Sequence, residues 1–450
     1  MILELGRQPA PATSIVEPEE DVVSDPHDDR GLGGPVTRRE AVRLGLALAG
    51  GTLATASTRP AFATSLRQAT PMTVPPGDRA EAIVAIARDI MEKQDVKAVI
   101  VRVTIDGQEV VTEALGESMT GVPATTDMHF RNGAVAFFYV ATLLLRLVDQ
   151  NVVTLDDPLD TWLPDLPDAD QVTLRMLANL TAGYPDYVQN PKLSQELYEN
   201  PFRQWTPQEL IAIGLSTPRV FAPGANWDYS HTDYVILGLA LEKITGQPLD
   251  VALQEQVLDP MGLRNTVAWS TPQISEPVLH AFSSERRQAL GIPSGTRFYE
   301  ESTYWSPSWT FAQGAIQTSD IADLTTTAEA VGEGTVLSPA SHQAQIAPDL
   351  LGFGSPLKGC PACHTLDESY TYGLGAVLSG DWILQNPLFA GYGAVSGYLP
   401  AQKIAVAVAT TYGEGAFDDE GNYKYSSHSN IFAAIGTYLA PDHPVPTPKT

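Results

Sequence analysis

Strand signals in this 450-residue chain cluster at its two ends, and that separation most limits what it can fold into. Residues 98–105 and 108–115 flank Asp106-Gly107, a dipeptide that supplies the positive φ angles of a tight hairpin turn. The next strand-like runs, 372–379, 382–385, 394–399 and 404–411, come only after residue 370 and are bounded by Gly, Asp, Pro and Gln. Helical spacing of apolar residues marks 79–93 near the start, and Ser429 is placed to cap a last helix over 430–439. Between the two strand regions the pattern is helical. Residues 134–150 are almost wholly apolar, as a buried helix requires, and shorter helices follow to about residue 330. The economical solution is one α/β domain made from both ends of the chain, with an α-rich insert between them.

Composition excludes several partners. There are 53 acidic against 27 basic side chains, a formal net charge of −26, so broad electrostatic binding to nucleic acid or anionic lipid is not expected. Two cysteines are too few for a disulfide scaffold or a four-cysteine zinc site. No His-x-x-x-His spacing or similar ligand pattern occurs, so neither a metal nor a cofactor is expected. Residues 1–31 are rich in Pro, Asp and Glu and read as a disordered leader. Arg38-Arg39, the apolar run 44–56 and Ala61-Phe62-Ala63 together read as a twin-arginine export signal cleaved after residue 63. That run is too short to span a bilayer, so no stable transmembrane anchor is expected, and the chain would act outside the cytoplasm, in the envelope or secreted. Removing 63 residues takes away 9 acidic and 6 basic groups and leaves 387 residues at −23, so the acidity belongs to the folded part.

Several stretches, in order, resemble the serine β-lactamase-like superfamily: class C β-lactamases, D,D-peptidases of the penicillin-binding type and related esterases. They include Phe130-Arg131-Asn132-Gly133, Leu155-Asp156-Asp157-Pro158-Leu159, Thr181-Ala182-Gly183-Tyr184-Pro185-Asp186-Tyr187, Tyr229-Ser230-His231-Thr232-Asp233-Tyr234, Leu258-Asp259-Pro260-Met261-Gly262-Leu263 and Leu337-Ser338-Pro339-Ala340. The resemblance covers about 80–440. It implies an α/β, beta-lactamase/transpeptidase-like fold: an antiparallel sheet flanked by N- and C-terminal helices, with an α-rich inserted domain. Residues 64–126 and 333–450 would form the α/β domain and 127–332 the insert.

The chemistry of that family rests on three motifs. A Ser-x-x-Lys opens a buried helix and supplies nucleophile and base. A Tyr-x-Asn loop transfers a second proton, and a Lys- or His-led strand holds the substrate carboxylate beside the oxyanion hole. Here the first motif reads Ala134-Val135-Ala136-Phe137, so alanine stands for the nucleophile and phenylalanine for the base. The second keeps Tyr229 and puts His231 in place of Asn. The third aligns with Gly391-Tyr392-Gly393, without a cation. Losing nucleophile and base costs such a machine several orders of magnitude in rate. The expectation is therefore a non-acylating pseudoenzyme or ligand binder. Its partner would be a small-molecule or peptide ligand, cell-wall-derived material among the candidates, held by Tyr184, Tyr187, Gly391, Tyr392 and Gly393. Trp305, Trp309 and Tyr398 are further aromatics at cleft segments. The alternative is a divergent hydrolase using Tyr229 and His231 as an acid/base pair.

Two other strings compete for attention. Ser355-Pro356-Leu357-Lys358 spells Ser-x-x-Lys, but among Gly352, Gly354, Gly359 and Pro361 it reads as loop. Cys360-Pro361-Ala362-Cys363-His364 matches a c-type haem attachment string, which gives a third reading as a redox or haem protein. In an exported chain Cys360 and Cys363 most simply form a local disulfide.

Overall fold

The structure, a computed structural model, describes residues 76–446 apart from 269–270 and 311–316. The export signal read over 32–63 lies outside the described residues, as does the leader before it.

The two ends of the chain meet in one antiparallel sheet. The first helix, α1 (Pro76–Lys93), leads into β1 (Val96–Ile105), β2 (Gln108–Met119) and β3 (Val122–Pro123). Asp106 and Gly107 both take positive φ, 49° and 70°, and close the β1–β2 hairpin. About 250 residues later come β4 (Thr371–Tyr372), β5 (Val377–Ser379), β6 (Trp382–Gln385), β7 (Leu388–Phe389), β8 (Tyr392–Leu399) and β9 (Ile404–Tyr412). The order across the sheet is β3-β2-β1-β9-β8-β6-β5-β4, with β7 pairing β8. The seam between the two ends is the long β1–β9 ladder, from Val96 opposite Tyr412 to Ile105 opposite Ile404. All residues of β8 and β9 are buried, which explains their unbroken apolar runs.

Helices cover both faces of this sheet. The last helix, Ser427–Leu439, lies with α1 on one face. Side chains alternate along a strand, so β8 presents Gly393 and Gly397 to that side, where Gly397 leaves room for the Phe432 ring. The even-numbered residues of β8 face the opposite way. There Ser396 donates through Oγ to the Leu324 carbonyl, and Tyr398 through its hydroxyl to Glu333 at 2.7 Å, both on the helix Ile321–Glu333. Ser429, read as a cap, lies inside the last helix, which begins two residues earlier at Ser427.

The helical middle of the chain packs around α2 (Ala136–Asp149), preceded by a 3-10 turn, Gly133–Val135. Eleven residues of α2 are buried on all sides, so the helix needs no polar face. It packs against α3 (His231–Thr245), which starts with Ser230 as N-cap accepting from the Asp233 amide. Among the described residues no helix is long and apolar enough to cross a membrane.

Candidate active site

A cavity of about 100 Å³ opens where the 3-10 turn before α2, the start of α3 and the segment 385–390 meet. Ala134 lines it. Gly133 beside it has a φ of +49°, and a Cβ there would meet Phe389 at 2.6 Å and Pro387 at 2.7 Å. That approach fits the turn tightly against the segment following β6. Phe137, one helical turn on, is fully buried under the cavity wall. Its ring packs edge-on against Tyr234 at 3.9 Å and Tyr229 at 5.4 Å, and lies 6.3 Å from His231. The ring thus sits among aromatic side chains.

Tyr229 and His231 both line the cavity, with ring centroids 5.3 Å apart. The local geometry is a helix start. Ser230 turns inward, donating to the Tyr184 carbonyl at 3.1 Å, and His231 is the first residue of α3. Asp186 orients the histidine: its Oδ1 accepts from the His231 backbone amide at 3.1 Å, and its Oδ2 lies 3.3 Å from Nδ1. Burial pushes the Tyr229 hydroxyl well above its ordinary pKa, and Tyr372, Tyr370 and Asp186 act in the same direction. Such a phenol stays protonated at neutral pH, so it can donate a hydrogen bond but is a poor base.

The other residues expected at the site are distributed differently. Trp305 and Trp309 line the cavity, whereas Tyr184, Tyr187, Gly391, Tyr392, Gly393 and Tyr398 are not among its described walls. The Tyr184 hydroxyl donates to the Pro167 carbonyl at 2.8 Å beneath the Arg219 guanidinium. Burial pushes it up to about 12, against the lowering effect of Arg219. Tyr187 is fully buried 6.0 Å from His231. Ala390 and Gly391, with φ of 49° and 80°, form the tight turn between β7 and β8. The Tyr392 hydroxyl donates to the Leu279 carbonyl at 2.7 Å. A Cβ on Gly393 would meet His428 at 2.5 Å, which accounts for glycine there by close packing. The wall on this side consists of Gln385 to Ala390 instead.

Ser355 to Lys358 lies in an exposed loop. Cys360 and Cys363 are joined in a disulfide. The Asp228 carboxylate lies within 4.8 Å of both sulfurs. With both sulfurs in a disulfide, neither offers a thiolate to a metal or a thiol to a haem vinyl group.

One wall residue carried no signal in the sequence. Glu285 follows two serines in a stretch without periodicity, yet it lines the cavity. Ser283 and Tyr423 donate to its Oε2 at 2.7 and 2.9 Å. Burial raises its pKa above the usual glutamate value, against these hydrogen bonds.

The fold and this site define a β-lactamase/transpeptidase-like unit. The beta-lactamase family matches residues 83–428, and the chain belongs to that family. Among curated relatives, the esterase EstB of Burkholderia gladioli is 31% identical over 166 residues, 34% of this chain and 42% of that protein. Penicillin-binding protein 4 of Amycolatopsis lactamdurans is 31% identical over 154 residues, 33% of this chain and 38% of that one. The chain thus matches about two-fifths of the length of these relatives. Among solved structures, a D-stereospecific amidohydrolase from Streptomyces sp. superposes with a TM-score of 0.63 at 23% identity, covering 78% of this chain and 98% of that one.

Proposed function

We propose that this chain is an exported, non-acylating member of the family that binds a small ligand in the Ala134 cavity. The observation that carries the reading is Phe137. Its ring is locked between Tyr229 and Tyr234 at the position that the family resemblance assigns to the base. Ala134, at the nucleophile position, presents only a methyl group to the cavity. A family member without nucleophile and base retains the pocket and loses the acyl-enzyme. The experiment is covalent labelling of the purified protein with a fluorescent penicillin and a fluorophosphonate, read by intact mass. The expected result is unmodified protein. A stoichiometric adduct on a cavity residue would overturn the reading.

The His231–Asp186 pair supports a second reading, a divergent hydrolase in which the histidine activates water. A base oriented by a carboxylate is the arrangement that such catalysis needs. Turnover of nitrophenyl esters that disappears in both His231→Gln and Tyr229→Phe would favour this reading.

A further inference from the structure

We propose that the cavity takes an organic ammonium ion, its positive charge set against Glu285 and the faces of the surrounding aromatic rings. This deepens the reading of the cavity as a binding site and rests on it.

Three observations point the same way. First, Trp305 and Phe389 form an aromatic cluster beside the main core, with Tyr198 and Trp309 packed against it and Trp309 touching the main core as well. Trp309 stands nearly perpendicular to Phe389, centroids 6.2 Å apart, and all four residues line the cavity. Rings set at angles to one another present π faces, and a π face attracts a cation.

Second, Glu285 opens onto the same cavity. Its carboxylate is held in place, since Tyr423 donates to Oε2 while accepting from the Gly391 amide at 2.7 Å.

Third, no lysine or arginine is among the described cavity walls. The Arg286 guanidinium lies 5.8 Å from the Trp305 ring, held there by other partners. It pairs with both oxygens of Glu300 at 3.1 and 3.0 Å and donates to the Tyr198 carbonyl. A ligand carboxylate would therefore meet an acid with no lysine or arginine beside it among the described walls, whereas an ammonium meets an acid and π faces. The net charge of −26 steers cations toward the molecule in the same sense.

The test is a charge series with one shared tert-butyl-like body: choline, neutral 3,3-dimethylbutan-1-ol and anionic 3,3-dimethylbutyrate. Binding to the whole protein is read by calorimetry and by tryptophan fluorescence. Choline should bind saturably and at least tenfold more tightly than the alcohol, and the butyrate least. Glu285→Gln should weaken choline at least tenfold while leaving the alcohol unchanged, and Trp309→Ala should weaken choline as well. The wild-type series needs no variant, so a misfolded mutant cannot rescue or sink the proposal. Choline binding no tighter than the alcohol, butyrate binding as tightly as choline, or no saturable choline binding would overturn it. The same preparation is then treated with the fluorophosphonate. An adduct there would refute the non-acylating reading, whereas a wrong charge order without an adduct refutes the ammonium proposal alone.

Discussion

Phe137→Ala tests the packing on which the functional reading stands. The ring is fully buried, and it closes an aromatic set with Tyr234 at 3.9 Å and Tyr229 at 5.4 Å. Truncating a buried phenylalanine removes its transfer free energy and leaves a cavity, together about 3–5 kcal/mol. Losing two edge-on ring contacts places the effect in the upper half of that range, roughly 4–5 kcal/mol. Most of the stability of a typical domain, about 5–15 kcal/mol, would then be at stake. The assay is urea unfolding followed by tryptophan fluorescence, with Phe137→Leu as the near volume-conserving comparison, expected to lose less than about 1.5 kcal/mol. A loss below about 1 kcal/mol for the alanine variant would refute the argument. It would mean that the ring is not wedged against Tyr234.

Three further outcomes follow from the same structure. His428 is buried, 2.8 Å from the Tyr412 hydroxyl and near the Asn386 carbonyl, and burial lowers its pKa from 6.5 to about 3. Only the unfolded chain takes up that proton between pH 6.5 and 3, so stability should fall across this window, by up to roughly 5 kcal/mol, and His428→Gln should flatten the dependence in acid denaturation. Asp228 is raised from 3.8 to about 8, first by burial and then by the Asp186 charge. Its contribution is therefore present below pH 4 and lost as pH rises toward 8, and Asp228→Asn should be more stable than wild type at pH 8 but not at pH 4, measured by denaturant titration at both. Replacing Cys360 and Cys363 by serine opens a loop closed by residues three apart, so chain entropy predicts a loss of only about 2 kcal/mol in the same titration.

Legibility followed the kind of physics involved. The Asp106-Gly107 hairpin, the buried α2 and the strands after residue 370 were readable because turn geometry and apolar runs are local signals. The joining of the two ends into one sheet was readable by economy, because strands without partners must find them. At the cavity, Ala134, Tyr229 and His231 were legible through motif order, and all three are among its lining residues. The third motif shows where such reasoning stops. Gly391 and Gly393 match a pattern, yet here one makes a tight turn and the other admits the His428 side chain. The wall is built by the residues just before them, because the β7–β8 hairpin folds that segment against Gly133. Glu285 was invisible for a different reason. Its position depends on Tyr423, 138 residues away, and no local pattern encodes such a contact.

The exchanges at 134 and 137 also act on one another. A family lysine works as a base because its surroundings keep part of it neutral. A lysine at 137 would stand where the Phe137 ring now is, fully buried and packed on Tyr229 and Tyr234, and burial favours the neutral amine. Restoring Ala134→Ser and Phe137→Lys together should consequently give acylation by a fluorescent penicillin, whereas Ala134→Ser alone should give none over the same time. The comparison is made by intact-mass time courses at equal probe concentration, with melting curves to confirm that both variants are folded. Equal rates for the single and double variants would show that residue 137 does not act as the base.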